Sequence, residues 1–170
     1  MARRTVLTAI GDDRPGLVAE VTEFVSRRGG NIEESRMLNL HGRFAIAMLV
    51  TGTDAVLDAV AADLAELAAA TSIDVRLTPA EEHVRREPPA LRRLTARALD
   101  QPDLVHQVAD ALRRGGANIE SLETTVEAAP TTGSPMFAME IVLSGGGDGM
   151  EAELAAVCRE LDLDWELGPA

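Results

Sequence analysis

Leu17, Val18, Val21, Phe24 and Val25 recur at helical spacing and share one face. The run follows Pro15-Gly16 and stops at Gly29-Gly30, so the pattern predicts a helix between its own start and stop signals. Ahead of it, Arg4 to Ile10 is a short β-rich run ending at Gly11. Behind it come an extended run from Asn31 to Leu40, a turn at His41-Gly42, and a strand from Arg43 to Thr51. In that strand Phe44, Ile46, Met48 and Val50 alternate with Ala45, Ala47 and Leu49. Val56, Leu57, Val60, Leu64 and Leu67 predict a second helix over Asp54 to Ala70, and Ile73, Val75 and Leu77 supply a closing strand. The order is βαββαβ.

The same phrase returns. GDDRPGLVAEVTEFVSRRGGNIEES is echoed by LDQPDLVHQVADALRRGGANIESLE, with Pro15 and Pro102, Val21 and Val108, Asn31 and Asn118, and Glu33 and Glu120 each 87 positions apart. The second copy predicts strand Leu91 to Ala98, helix Asp103 to Arg114, strands Asn118 to Glu127 and Met136 to Ser144, helix Met150 to Leu161 and strand Asp164 to Leu167. The fold class is therefore α+β, with two tandem ferredoxin-like (βαββαβ) domains, each a four-stranded antiparallel sheet with both helices on one face. Domain 1 spans residues 1–78, a linker with three prolines and no periodicity spans 79–90, and domain 2 spans 91–170. Domains this small bury little core, and Ala45, Ala47 and Leu49 make the uncovered sheet face of the first repeat apolar. Both features lead us to expect a homodimer.

A net charge of −12 opposes the phosphate backbone, so direct binding to nucleic acid is not expected. The Arg-Arg pairs are split by acidic stretches and read as solvated surface. No run approaches the roughly 20 apolar residues of a membrane helix, and one cysteine, Cys158, excludes an internal disulfide, which points to the cytoplasm. His41, His83 and His106 have no metal or catalytic spacing. Cys158 falls in the apolar stripe region of the last helix, and Glu33-Glu34 should alternate across a strand rather than form a dyad. No catalytic residue, metal or cofactor is expected.

The chemistry gathers at the first strand-to-helix turn. Free amides at a helix start favour an anion, and an α-carboxylate fits there. Asp12 or Asp13 offers a partner to an ammonium group, and the amide of Asn31 both donates and accepts. The purely structural alternative makes Asp13 an N-cap, Pro15 the first helical residue, Gly29-Gly30 a C-cap and Asn31 a turn residue.

GDDRPGLVAEVTEFVSRRGGNIEESRM on a βαββαβ pattern resembles the ACT domain, a small module that binds amino acids, and two such modules in one chain resemble the glycine cleavage system transcriptional repressor family. The resemblance covers nearly the whole chain and is stronger in residues 4–78. It implies a ligand held between the first strand-helix loop and a neighbouring domain, which carries over to Asp12, Asp13, Gly16, Leu17 and Asn31. A second, weaker candidate site is Asp100, Asp103 and Asn118, where Asp103 replaces Gly16 and would repel a carboxylate. The implied role is a non-catalytic sensor of an amino acid of the glycine or serine class that modulates a partner protein such as a transcription regulator. The alternative is a ligand-free ACT module for interaction or oligomerisation, regulating a metabolic enzyme. Limited proteolysis is expected to cut first between Pro79 and Ala90; first cuts inside either repeat would contradict the division.

Overall fold

The computed structural model describes residues 3–80 and 90–170, in two compact units, Met1–Val84 and Arg85–Ala170. Unit 1 runs β1 (Arg3–Asp12), α1 (Leu17–Arg27), β2 (Asn31–Leu40), β3 (Arg43–Gly52), α2 (Asp54–Ala62), α3 (Leu64–Thr71) and β4 (Asp74–Ala80). Its antiparallel sheet has the order β2-β3-β1-β4. Unit 2 runs β5 (Leu91–Leu99), α4 (Leu104–Arg114), β6 (Ala117–Ala128), β7 (Pro135–Gly145), α5 (Met150–Glu160) and β8 (Asp164–Pro169), with the order β6-β7-β5-β8. Strand β4 takes in Pro79 and Ala80, the first two residues of the expected linker, and residues 81–89 of it lie outside the described residues.

Strand alternation sets the core. Thr5, Leu7 and Ala9 of β1 and Phe44, Ile46, Met48 and Val50 of β3 are buried against Leu17, Val21, Phe24, Val25, Leu57, Val60 and Leu67 of the helices. Each large side chain buried here contributes about 1.5–3 kcal/mol. Val18, read as part of the helix stripe, is 42% exposed instead, because it lies toward the loop ahead of the helix rather than over the sheet.

The long second helix of the sequence reading is broken into α2 and α3 at Asp63. Asp63 serves both helices as a cap. Its carboxylate accepts from Arg28 Nε at 2.9 Å, and the Arg28 guanidinium lies 3.7 Å from the Phe24 ring centroid. Asp is a poor helix former because its side chain competes for other partners, and here an arginine of α1 supplies one.

The Gly29-Gly30 corner is a Schellman closure. Gly29 N donates to Ser26 O at 3.0 Å and Gly30 N to Val25 O at 3.1 Å, with Gly29 at φ +81°. A Cβ on Gly30 would stand 2.8 Å from Val25 Cγ1. The chain then enters β2 through a β-bulge: Ile32 pairs with Val50, Glu34 pairs with Leu49, and Glu33 is the extra residue. Unit 2 repeats the bulge at Glu120, between Ile119 and Ser121. Strict alternation therefore fails at Glu33-Glu34, which bind Arg4 and Arg36 respectively. Substituting Gly29→Ala is expected to lower unfolding free energy by about 1–2 kcal/mol, the cost of a left-handed L-residue, as read by urea denaturation.

Candidate functional site

Between β1 and α1 the loop is fastened to the neighbouring hairpin. Asp13 N donates to Gly42 O at 2.8 Å, Asn39 Nδ2 donates to Asp13 Oδ2 at 2.6 Å, and Gly42 N donates to Asn39 Oδ1 at 3.1 Å. Asp12 forms an ion pair with Arg43. Arg14 grips Glu20 through both terminal nitrogens, at 2.6 and 2.7 Å. Those charged hydrogen bonds hold the Glu20 carboxyl below its usual range. A lowered folded-state value means that this contact favours the native loop above the ordinary carboxylate pKa and is lost as pH falls through the lowered one.

The helix starts two residues later than the structural reading of the sequence had it. Gly16 is the N-cap, at φ +95°, and Leu17, buried, is the first helical residue. Asp13 is not the cap, because its carboxylate is turned to Asn39. The first α-helical bond is Glu20 N to Gly16 O, and the amides of Val18 and Ala19 have no backbone acceptor among the described residues. A cleft of about 580 Å³ opens over these amides, bounded by Asp13 to Ala19 with Met37 and Phe44. Asn39, Glu20 and Arg43, which hold the loop, were not singled out in the sequence; only the position of Asn39 beside the His41-Gly42 turn hinted at a structural part.

Asn31 stands elsewhere. It pairs with Thr51, which pairs with Arg4, whereas Asp12 is eight residues further along β1. At about 3.3 Å per residue the two lie roughly 26 Å apart, so the loop and Asn31 of one unit do not meet around one ligand. The Asn31 side-chain amide has no hydrogen-bond partner among the described residues, and it is exposed.

In unit 2 the matching pieces are differently engaged. Asp100 N donates to Pro135 O at 2.9 Å, as Asp13 does to Gly42, and Gln101 Nε2 donates to Leu161 O at 3.0 Å. Asp103 occupies the N-cap at φ +76°, a backbone that L-residues other than Asn and Asp seldom adopt. Asn118 Nδ2 donates to Glu120 Oε1 at 2.8 Å, and Ser144 donates to the same oxygen. These two donors, Ser144 foremost, hold the Glu120 carboxyl below its usual range. The Asn118 amide is thus occupied within its own unit.

A model of the ACT domain family matches residues 3–78. The first unit is an ACT domain. The glycine cleavage system transcriptional repressor of Escherichia coli (strain K12) is 26% identical over 161 residues, covering 92% of this chain and 85% of that protein. An unknown protein from Galdieria sulphuraria has a crystal structure that superposes with a TM-score of 0.81 at 24% identity, covering 100% of this chain and 99% of that one. A structure described as a candidate glycine cleavage system transcriptional repressor gives 0.76 at 21% identity, covering 99% and 97%. The chain is a tandem ACT-like repeat resembling those repressors, and these structural likenesses share its fold.

Of the remaining reactive groups, His41 sits in the hairpin turn at φ +51°, His106 is exposed on α4, and His83 lies outside the described residues. Cys158 is fully buried in the second core, and burial pushes its thiol up to about 11. No helix among the described residues is long and apolar enough to cross a membrane. The Cys158 thiol of the native ACT-like unit is expected to resist a maleimide at pH 8 and to react at once in denaturant; rapid native labelling would contradict the burial.

Proposed function

We propose that this chain is a non-catalytic regulatory protein that senses a small amino acid of the glycine or serine class through the loop of unit 1. The observation that carries the reading is the uncapped start of α1, where Gly16 lets a carboxylate approach the amides of Val18 and Ala19. Asp12 and Asp13, both exposed at the loop, supply the negative charge that an ammonium group would meet. Asn31 contributes only when it comes from a neighbouring copy, since its own loop is out of reach. The protein is accordingly a homodimer in the cytoplasm. Its output is a partner protein such as a transcription regulator, because its acidic surface opposes direct contact with DNA.

A second reading is favoured by a separate observation. Asp12, Asp13 and Arg14 are already engaged by Arg43, Asn39 and Glu20, so the loop keeps its shape without a ligand. A ligand-free ACT module that regulates a metabolic enzyme by association has the same loop.

Calorimetric titration with the twenty amino acids separates the two, since heat from none of them supports the ligand-free module. For a ligand of five heavy atoms, a ceiling of about −1.5 kcal/mol per atom limits affinity to roughly the micromolar range. Gly16→Asp, which copies the second loop, is expected to abolish binding, while Asp103→Gly leaves it unchanged. Asn31→Ala is expected to weaken binding by roughly tenfold and Asn118→Ala to leave it unchanged. Equal losses in the two asparagine variants would show the sites to be equivalent.

A further inference from the structure

The sheet face of unit 1 turned away from the helices is apolar at its centre. Val6, Ile10, Leu38, Leu40, Ala47 and Leu49 share it, with Ile10, Leu38 and Leu40 exposed by 55%, 49% and 62%. Leu38, Ala45 and Ile10 lie in one row across three strands. Large contiguous apolar patches of this kind mark contact surfaces.

Unit 2 supplies an internal control. By register, Val6, Ile10, Leu38, Leu40 and Ala47 correspond to Arg93, Arg97, Thr125, Glu127 and Glu140. The same topology therefore carries a solvated face perfectly well, and the apolar one in unit 1 is not a demand of the fold. It is a property of that surface.

We infer that this face packs against the same face of a second copy of the chain, about a two-fold axis. The inference rests on the self-association proposed above and names the surface responsible. Charge selects the occupant. The chain carries −12, so contact between most parts of two copies is repulsive. On this face, however, Arg4, Arg36, Arg43 and Arg76 are each paired with a carboxylate, that of Glu33, Glu34, Asp12 and Asp74 respectively. An apolar centre inside a rim of neutralised charges is the anatomy of a protein interface, and an isologous pair sets no net charge against itself. Four strands about 4.8 Å apart and roughly 26 Å long give some 500 Å² per copy. The total of about 1,000 Å² reaches the lower bound for a specific contact, so the dimer should dissociate on dilution.

The test replaces residues of unit 1 by those unit 2 already carries: Ile10→Arg with Leu38→Thr. Light scattering across a dilution series should give a dimer for the unmodified chain and, for the double variant, a monomer or a dissociation constant raised at least tenfold, with far-UV circular dichroism unchanged. A monomeric unmodified chain at micromolar concentration would overturn both the self-association and the surface. A folded double variant that remains equally dimeric would overturn the surface alone and redirect attention to the exposed edge strand β2. If the double variant loses its structure, Ala47→Cys decides. With Cys158 buried, a bis-maleimide should link two Ala47→Cys chains and should not link Thr125→Cys chains of the unit 2 face; absence of the first product, or equal yields of both, would overturn the inference.

Discussion

Strand β1 lies between β3 and β4 and presents Thr5, Leu7, Ala9 and Gly11 as one buried row on which the helices settle. The fit leaves no slack: a Cβ on Gly11 would stand 2.4 Å from Ile73 Cγ2. Because every strand obeys the same two-residue period, fixing this row also fixes what the opposite row must be. The helix side, the open face and the direction in which the β1–α1 loop leaves the sheet are all consequences of one strand's phase. β5 does the same for unit 2 with Leu94, Ala96 and Ala98.

Much of this was legible in the residues. The order of elements, the His41-Gly42 turn and the α1 stop were readable because each has a local cause: apolar alternation, two positive-φ positions, a glycine pair. The split of the second helix was not, since its cause is Arg28 reaching Asp63 from α1, a contact 35 positions apart. The bulges were missed for a similar reason. Nothing local in Asn-Ile-Glu announces that Glu33 or Glu120 will be left over when two strands pair.

The candidate site was half legible. A helix start next to Pro-Gly, with small residues around it, can be seen in the sequence, and the structure has Gly16 at the N-cap. The distance to Asn31 could not be seen, because it depends on the strand order and register that set Asn31 opposite Thr51 and Thr51 opposite Arg4, at the far end of β1 from the loop. Comparison of the two units then shows how one scaffold is specialised by few changes. The exchange of glycine for aspartate at the helix start, a glutamate that holds the neighbouring asparagine, and polar residues across the open face leave unit 2 with a carboxylate beside its helix start and its asparagine already engaged.

The bulge at Glu33 has a consequence for orientation. From Glu34 onward, even-numbered residues of β2 lie on the open side of the sheet, yet Ile32 packs into the core and Asn31 lies on the outside. One surplus residue has inverted the parity of the strand. Were Glu33 instead paired in a regular ladder, Asn31 would turn beneath the helices and Ile32 would be pushed into water, so leaving one glutamate out of the pairing, its side chain merely meeting Arg4, decides which of Asn31 and Ile32 faces the outside world.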